Sequence, residues 1–150
     1  MPNLYEELRA LATAFDAGGV EYALCGGLAL AVHGHPRATK DIDVLVRREQ
    51  VALARSIARA CGFVLASLPV KLPDTGVEIE RVSKVVGDDV LMLDLLIANE
   101  ATLGAWESRR RHAWGGGELA VISREALISM KLAAGRPQDL ADLARLAGSE

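Results

Sequence analysis

Apolar residues recur at helical spacing from the start of the chain. Leu4, Leu8, Leu11, Ala12 and Phe15 fall on one stripe. Asn3 stands at the N-cap position with Glu6 three residues on, a capping-box arrangement. Gly18 and Gly19 stop this helix. Val20 to Cys25 is a short apolar run and reads as a strand, broken by Gly26 and Gly27. LALAVHG then reads as a short helical segment closed by Gly34. His35 to Lys40 is a polar, basic loop, and Ile42 to Val46 is a second strand. Val51 to Cys61 returns to helical spacing, with Leu53, Ile57 and Cys61 on one side.

Phe63 to Leu65 predicts a short strand, and Pro69 to Gly76, with two prolines and a glycine, a loop. Val77 to Val86 and Val90 to Ile97 predict a hairpin around Gly87, Asp88 and Asp89. Its second arm, VLMLDLLI, is almost continuously apolar, the signature of a strand buried on both faces. Glu100 to Arg111 predicts a weaker helix, with Arg109 to His112 as its solvated end. Leu119 to Ile122 is a last short strand. Ser123 caps a helix that runs to Ala134 and stops at Gly135. Asp139 to Ala147 is a final helix with Leu140, Leu143 and Ala144 turned inward. Strands and helices interleave, so the expected class is α/β or α+β, a mixed sheet layered with helices.

Composition narrows this without changing it. Only 4% of the 150 residues are aromatic against 51% hydrophobic, so the core is built from Leu, Val, Ile and Ala. Seventeen Lys and Arg against 20 Asp and Glu give a net charge of -3, which excludes a general nucleic-acid coat protein. Cys25 and Cys61 lie in apolar segments and read as packing residues in a reducing compartment. The acidic, mixed N-terminus is not a signal peptide. The uncharged run from Tyr22 to Pro36 is too short and too rich in glycine to span a bilayer. A cytoplasmic location is expected.

Three aspartates carry the candidate chemistry. Asp41 and Asp43 flank Ile42 at a strand start, and positions i and i+2 of a strand share a face. Two carboxylates that close repel unless a cation lies between them, and Mg2+ takes such oxygen ligands. Asp94 interrupts the apolar VLMLDLLI run. A carboxylate there must be paired with a buried arginine or bound to metal. If its strand neighbours Ile42 to Val46, the three carboxylates form a two-metal site. Upstream, Gly26 and Gly27 at a strand-to-helix turn allow close backbone approach to a phosphate. Arg37 and Lys40 can meet phosphate oxygens, and Thr39 can hydrogen-bond. His33 and His35 lack further ligands at metal-binding spacing and read as loop and helix-end residues.

The order Gly26-Gly27, thirteen residues, then Asp41-Ile42-Asp43, and later Asp94, resembles the nucleotidyltransferase superfamily typified by DNA polymerase β. The form Arg37-x-Thr39-x-Asp41-Ile42-Asp43 is similar to a small prokaryotic group that includes AbiEii-type toxins of toxin–antitoxin systems and small antibiotic nucleotidyltransferases. The stretch through Lys131, Arg136, Asp139 and Asp142 resembles that group's C-terminal lysine helix and Arg-x-x-Asp-x-x-Asp helix. Many members carry serine where this chain has Gly27, which offers only backbone.

The resemblance implies a nucleotidyltransferase fold over residues 1–150, with a catalytic core over about 1–122 and a helical cap over about 123–150. It implies transfer of a nucleoside monophosphate from a nucleoside triphosphate such as ATP to an acceptor hydroxyl. Two ions, Mg2+ or Mn2+, are implied at Asp41, Asp43 and Asp94. Gly26, Gly27, Arg37, Thr39, Lys40, Lys131 and Arg136 are implied to hold the nucleotide, with Lys131 on its phosphates. First-turn acids such as Asp139 and Asp142 also complement a helix dipole, so they have a second, structural reading. The acceptor stays open among a tRNA end, a protein hydroxyl and a small antibiotic. Partners stay open between an antitoxin and a second copy of the chain. The alternative class is a relative that binds nucleotide or a partner without turnover.

Overall fold

An eight-stranded mixed sheet organises the chain in a computed structural model that describes residues 3–148. The elements in order are α1 (Leu4–Ala17), β1 (Ala23–Cys25), α2 (Gly26–Val32), β2 (Asp41–Arg47), α3 (Val51–Ala60), β3 (Leu65–Ala66), β4 (Val70–Lys71) and β5 (Glu78–Val86). There follow β6 (Asp89–Ala98), α4 (Leu103–Ser108), β7 (Arg110–Trp114), β8 (Gly117–Val121), α5 (Arg124–Ala134) and α6 (Pro137–Ala147). The strands lie in the order β3-β5-β6-β2-β1-β8-β7, with β4 also paired to β5. β2 runs parallel to β6 and antiparallel to β1. The outer pairs β5–β6 and β7–β8 are antiparallel hairpins. The class is the mixed α/β arrangement expected from the alternation of patterns.

The middle of the sheet is apolar because it is covered. Leu24, Ile42, Leu45, Val46, Leu93 and Leu95 are fully buried. Each such side chain contributes roughly 1.5–3 kcal/mol. α1 forms where the stripe predicts: the Asn3 side chain accepts from the Tyr5 and Glu6 amides, and Leu8, Leu11, Ala12 and Phe15 are buried. Phe15 packs on Tyr22, whose hydroxyl accepts the Ala120 amide at 3.3 Å and so ties β1's approach to β8. Among the described residues, no helix is long and apolar enough to cross a membrane.

Four expectations need correction. Arg110–Trp114 is a strand, not a helix end: it pairs with β8 across a turn at Gly115–Gly116, where both glycines hold positive φ. The helix before it therefore spans only Leu103–Ser108. The Pro69–Gly76 loop contains the edge pair Val70–Lys71 on β5. Leu53 is 46% exposed, because α3 buries Val51, Ala54 and Ala58 instead. In α6, Leu140 is 56% exposed and Ala144 is exposed as well, and Asp139, Asp142 and Leu146 face inward. The inward carboxylates have cationic partners there, which outweighs the apolar pattern.

Candidate active site

Parallel pairing of β2 and β6 sets Asp43 directly beside Asp94, and Asp41 lies two residues up the same strand. β1 ends on β2's other side with Cys25 opposite Asp43. The chain then turns into α2 through Gly26, which holds φ +66, and a Cβ built there would fall on the Asp43 Oδ2. Glycine is required at position 26 for both reasons. Gly27 has ordinary φ; a Cβ on it would meet the Arg37 guanidinium at 3.1–3.3 Å. Arg37 therefore covers the glycine turn. The sheet thus converges Gly26, Gly27, Arg37, Asp41, Asp43 and Asp94 on one end of β1, β2 and β6.

The electrostatics of the cluster are those of crowded carboxylates. Burial pushes the Asp43 carboxyl up to about 7, reinforced by the charges of Asp94 and Asp41 and by a hydrogen bond shared with Asp94. Burial and Asp94 also raise Asp41, against the pull of Arg81, Arg136 and Arg37. The Cys25 thiol, fully buried and donating to the Asp43 carbonyl at 3.4 Å, is pushed well up by burial and by Asp43 and Asp94, so it is held as an inert packing group. Asp94 is 5% exposed and engaged by Arg81 through two parallel bonds, Nε to Oδ1 at 2.6 Å and Nη2 to Oδ2 at 2.9 Å. Asp94 thus meets a cation from its hairpin partner and a carboxyl from its parallel neighbour at once. Among the described residues, no group of three or more His, Cys, Asp or Glu side chains is arranged to hold a metal ion.

The remaining sequence-predicted residues are already partnered. Thr39 Oγ1 accepts the Asp41 amide at 3.2 Å and fixes the entry to β2. Lys40 reaches away to Asp89 at 3.0 Å and is largely exposed. Lys131 is 4% exposed and donates to Asp142 at 2.7 Å, with Asp139 at 3.8 Å. Arg136 binds Asp139 through Nε at 2.7 Å. Arg37 donates to Asp142 through Nε at 2.8 Å and Nη2 at 3.0 Å. Arg145 of α6 also donates to the Pro36 carbonyl at 3.1 Å. Asp142 is the hub of this clamp. Burial alone would raise its carboxyl, but hydrogen bonds from Arg37, Lys131 and Gln138 bring it down to about 2. The C-terminal helices thus grip the loop that carries Arg37.

Two residues carry roles that the sequence reading left out. Arg81 takes both oxygens of Asp94, and Gln138 adds a bond to Asp142 at 3.0 Å. Once the turn is fixed, the hairpin register alone places Arg81. The turn is the two residues Gly87 and Asp88, and counting back from the Val86–Asp89 pair places Arg81 opposite Asp94. A three-residue turn loses that register.

A cavity of about 340 Å³ adjoins the glycine turn, lined by Tyr5, Leu28, Pro36, Arg37 and Thr39 among others. A larger one, about 710 Å³, lies among Glu21, Arg109, Arg110 and Arg111 and shares no lining residue with the carboxylate cluster.

Known proteins provide context for this arrangement. The sequence pattern of the family described as "Nucleotidyl transferase AbiEii toxin, Type IV TA system" matches residues 9–150. No curated protein matches the chain significantly in sequence. Among solved structures, a candidate nucleotidyltransferase of Thermotoga maritima superposes with a TM-score of 0.65 at 15% identity, over 98% of this chain and 94% of that one. The antibiotic-resistance factor ANT(2'')-Ia superposes with a TM-score of 0.59 at 21% identity, over 95% of this chain and 80% of that one. JHP933 of Helicobacter pylori gives 0.58 at 18% identity, over 97% of this chain and 65% of that one. At these identities the likenesses establish a shared nucleotidyltransferase fold.

Proposed function

The chain belongs to the AbiEii nucleotidyltransferase toxin family, and from that premise we propose that it moves a nucleoside monophosphate from a nucleoside triphosphate to an acceptor hydroxyl. The acceptor oxygen bonds to the α-phosphorus, the bond to the bridging oxygen breaks, and pyrophosphate leaves. The observation that carries this reading is the register that sets Asp43 beside Asp94, with Asp41 on the same strand, under the glycine turn. All three carboxylates are present, which favours turnover over mere binding.

The donor set suits a hard cation. Asp43 lies beside Asp94 with Asp41 on the same strand, all of them hard oxygen donors, and their mutual repulsion raises Asp43 beyond the effect of burial. Asp41 and Asp43 would hold the Mg2+ or Mn2+ that accompanies the nucleotide, and Asp94 with them a second ion. Such ions, when bound, neutralise charge on the phosphates and acidify the acceptor hydroxyl. The rest falls to the chain. Gly26 and Gly27 let Asp43 and Arg37 lie directly against the turn, so Arg37, fixed by Asp142, is the cation a phosphate would meet there. Asp94, once released from Arg81, would also accept the hydroxyl proton. Lys131 acts through the clamp on Arg37, because both are bonded to Asp142, while Arg136, bonded to Asp139, lies near enough to Asp41 and Asp43 to favour their charged forms.

ANT(2'')-Ia is described in complex with adenylyl-2''-tobramycin; for this chain, a member of a toxin family, a cellular acceptor is the reading to test first. The test is incubation with each labelled nucleoside triphosphate, Mg2+ and cell extract. Label should enter one class of molecule, a tRNA, a protein or a small metabolite, and should be absent with Asp43→Asn. Induced expression should slow growth with the parent chain and not with that variant. No transfer with any nucleotide, together with undiminished toxicity of Asp43→Asn, rejects the reading.

A further inference from the structure

The Arg81–Asp94 pair is set inside the carboxylate cluster, and its two halves differ in how they are held. Asp94 is fixed: it is buried in a central strand, between Arg81 on β5 and Asp43 on β2. Arg81 is not. Its side chain is 41% exposed, and the bonds of its guanidinium run only to Asp94 among the described residues. A guanidinium that serves to orient a ligand needs its own anchor, as Arg37 has in the Ala38 carbonyl besides Asp142. The arrangement of the carboxylates points the same way: with both Asp94 oxygens facing Arg81, no three of them are gathered for an ion.

We propose that Arg81 is an internal stand-in for the cation, a positioning residue that holds Asp94 in the ion-free protein and is exchanged for a divalent ion when the site is loaded. The proposal rests on reading Asp41, Asp43 and Asp94 as a cation site. Arg81 then sets the threshold of loading. It keeps the buried carboxylate compensated, and it makes the ion compete with a bidentate, charge-assisted pair. The cluster carries three formal negative charges, and Arg81 is the cation bonded directly within it, since Arg37 and Arg136 are bonded to Asp142 and Asp139. Removal of Arg81 should therefore raise affinity for a divalent ion rather than lower it. A guanidinium that stays in place to orient Asp94 predicts the opposite sign.

The test uses Mn2+ alone, without nucleotide, titrated into the full chain and followed by the electron paramagnetic resonance of the free ion. Arg81→Met and Arg81→Gln should bind Mn2+ at least about tenfold more tightly than the parent, which is about 1.4 kcal/mol. Arg81→Lys, which keeps charge but loses the second bond, should fall between. The melting temperature of Arg81→Gln should also rise more steeply with Mn2+ than that of the parent. In an Asp94→Asn background, Arg81→Gln should change nothing. Equal or weaker Mn2+ binding by the Arg81 variants overturns the exchange while leaving the carboxylate site standing. If neither parent nor variants bind Mn2+, the cation site fails and the exchange fails with it. If Arg81→Met does not fold, the Gln and Lys variants carry the same comparison.

Discussion

Replacing Asp142 with asparagine tests the clamp that ties the C-terminal helices to the Arg37 loop. Asp142 is 0% exposed and accepts from Arg37, Lys131 and Gln138. Asparagine keeps the shape and removes the charge. Lys131, 4% exposed, is then left with Asp139 at 3.8 Å as its nearest anion among the described residues. Breaking a buried pair in this way costs about 3–5 kcal/mol. The lower end is expected, because the Arg37 side chain is 21% exposed and can turn to water. The same bonds make the contribution of the clamp depend on pH. Asp142 falls from 3.8 to about 2 on folding, and that difference corresponds to roughly 2 kcal/mol. The folded value is the lower one, so this stability is complete above about pH 5 and is lost as pH falls through 4 toward 2. Urea unfolding at pH 7 should show Asp142→Asn at least about 2 kcal/mol below the parent, and the gap should narrow sharply at pH 2–3. The double variant Lys131→Met, Asp142→Asn should recover part of the loss, since it leaves no orphaned lysine. A gap under about 1 kcal/mol at pH 7, or one that does not change with pH, would falsify the buried-clamp account.

Further substitutions separate fold from site. Gly26→Ala forces a side chain into positive φ and onto Asp43, so it should lower stability by more than about 1 kcal/mol in thermal melts. Gly27→Ala, which has ordinary φ, should melt close to the parent while nucleotide affinity measured by calorimetry falls. Asp43→Asn relieves repulsion with Asp94, so in EDTA at pH 8 it should melt above the parent, yet lose Mg2+-dependent nucleotide binding. Tyr22→Phe leaves the buried Ala120 amide without its acceptor and should cost about 1–3 kcal/mol by urea unfolding, with nucleotide affinity unchanged.

The parts of the fold that local chemistry decides were legible. Asn3 caps α1, the Leu8 to Phe15 stripe is buried, and VLMLDLLI lies in the middle of the sheet because its sequence suits no other place. The parts decided by distant partners were not. Asp139 and Asp142 read equally well as dipole-complementing acids, and nothing local announces that Arg37, 105 residues away from Asp142, turns them inward. Leu140 is outward for the same reason: the helix rotates to satisfy buried charge before apolar area. The β7 strand was hidden by its charges. Arg110 and Arg111 look like a helix end, although Trp114 followed by three glycines before Leu119 carries a hairpin signal. For the candidate site, residue types and spacing single out Asp41, Asp43 and Asp94, and the strand register sets Asp43 beside Asp94. The pairing of Asp94 with Arg81 depends on a one-residue difference in the turn at Gly87, below what composition can fix.

The charge ledger of the site bears on how a nucleotide enters. Four cations expected to hold the nucleotide, Arg37, Lys40, Lys131 and Arg136, are each bonded to an aspartate. Arg81, the cation closest to the carboxylates, is bonded to Asp94. A triphosphate brings several negative charges to a cluster that already holds three carboxylates, and it meets no uncommitted cation among these five. Its charge must therefore be met by ions that arrive with it, or by breaking these pairs. The pairs differ in how easily they open. Lys131 and Asp142 are buried and would leave an orphan. Lys40–Asp89 is exposed, and an exposed pair costs little to open. Lys40 lies just before β2, next to Asp41, and its exposed side chain can turn to the phosphates at small cost. Lys40→Ala should then weaken nucleotide binding measured in Mg2+ several-fold without lowering the melting temperature, whereas Lys131→Met should lower both. If both variants lose affinity with unchanged melting, the division between a structural clamp and a mobile cation is wrong.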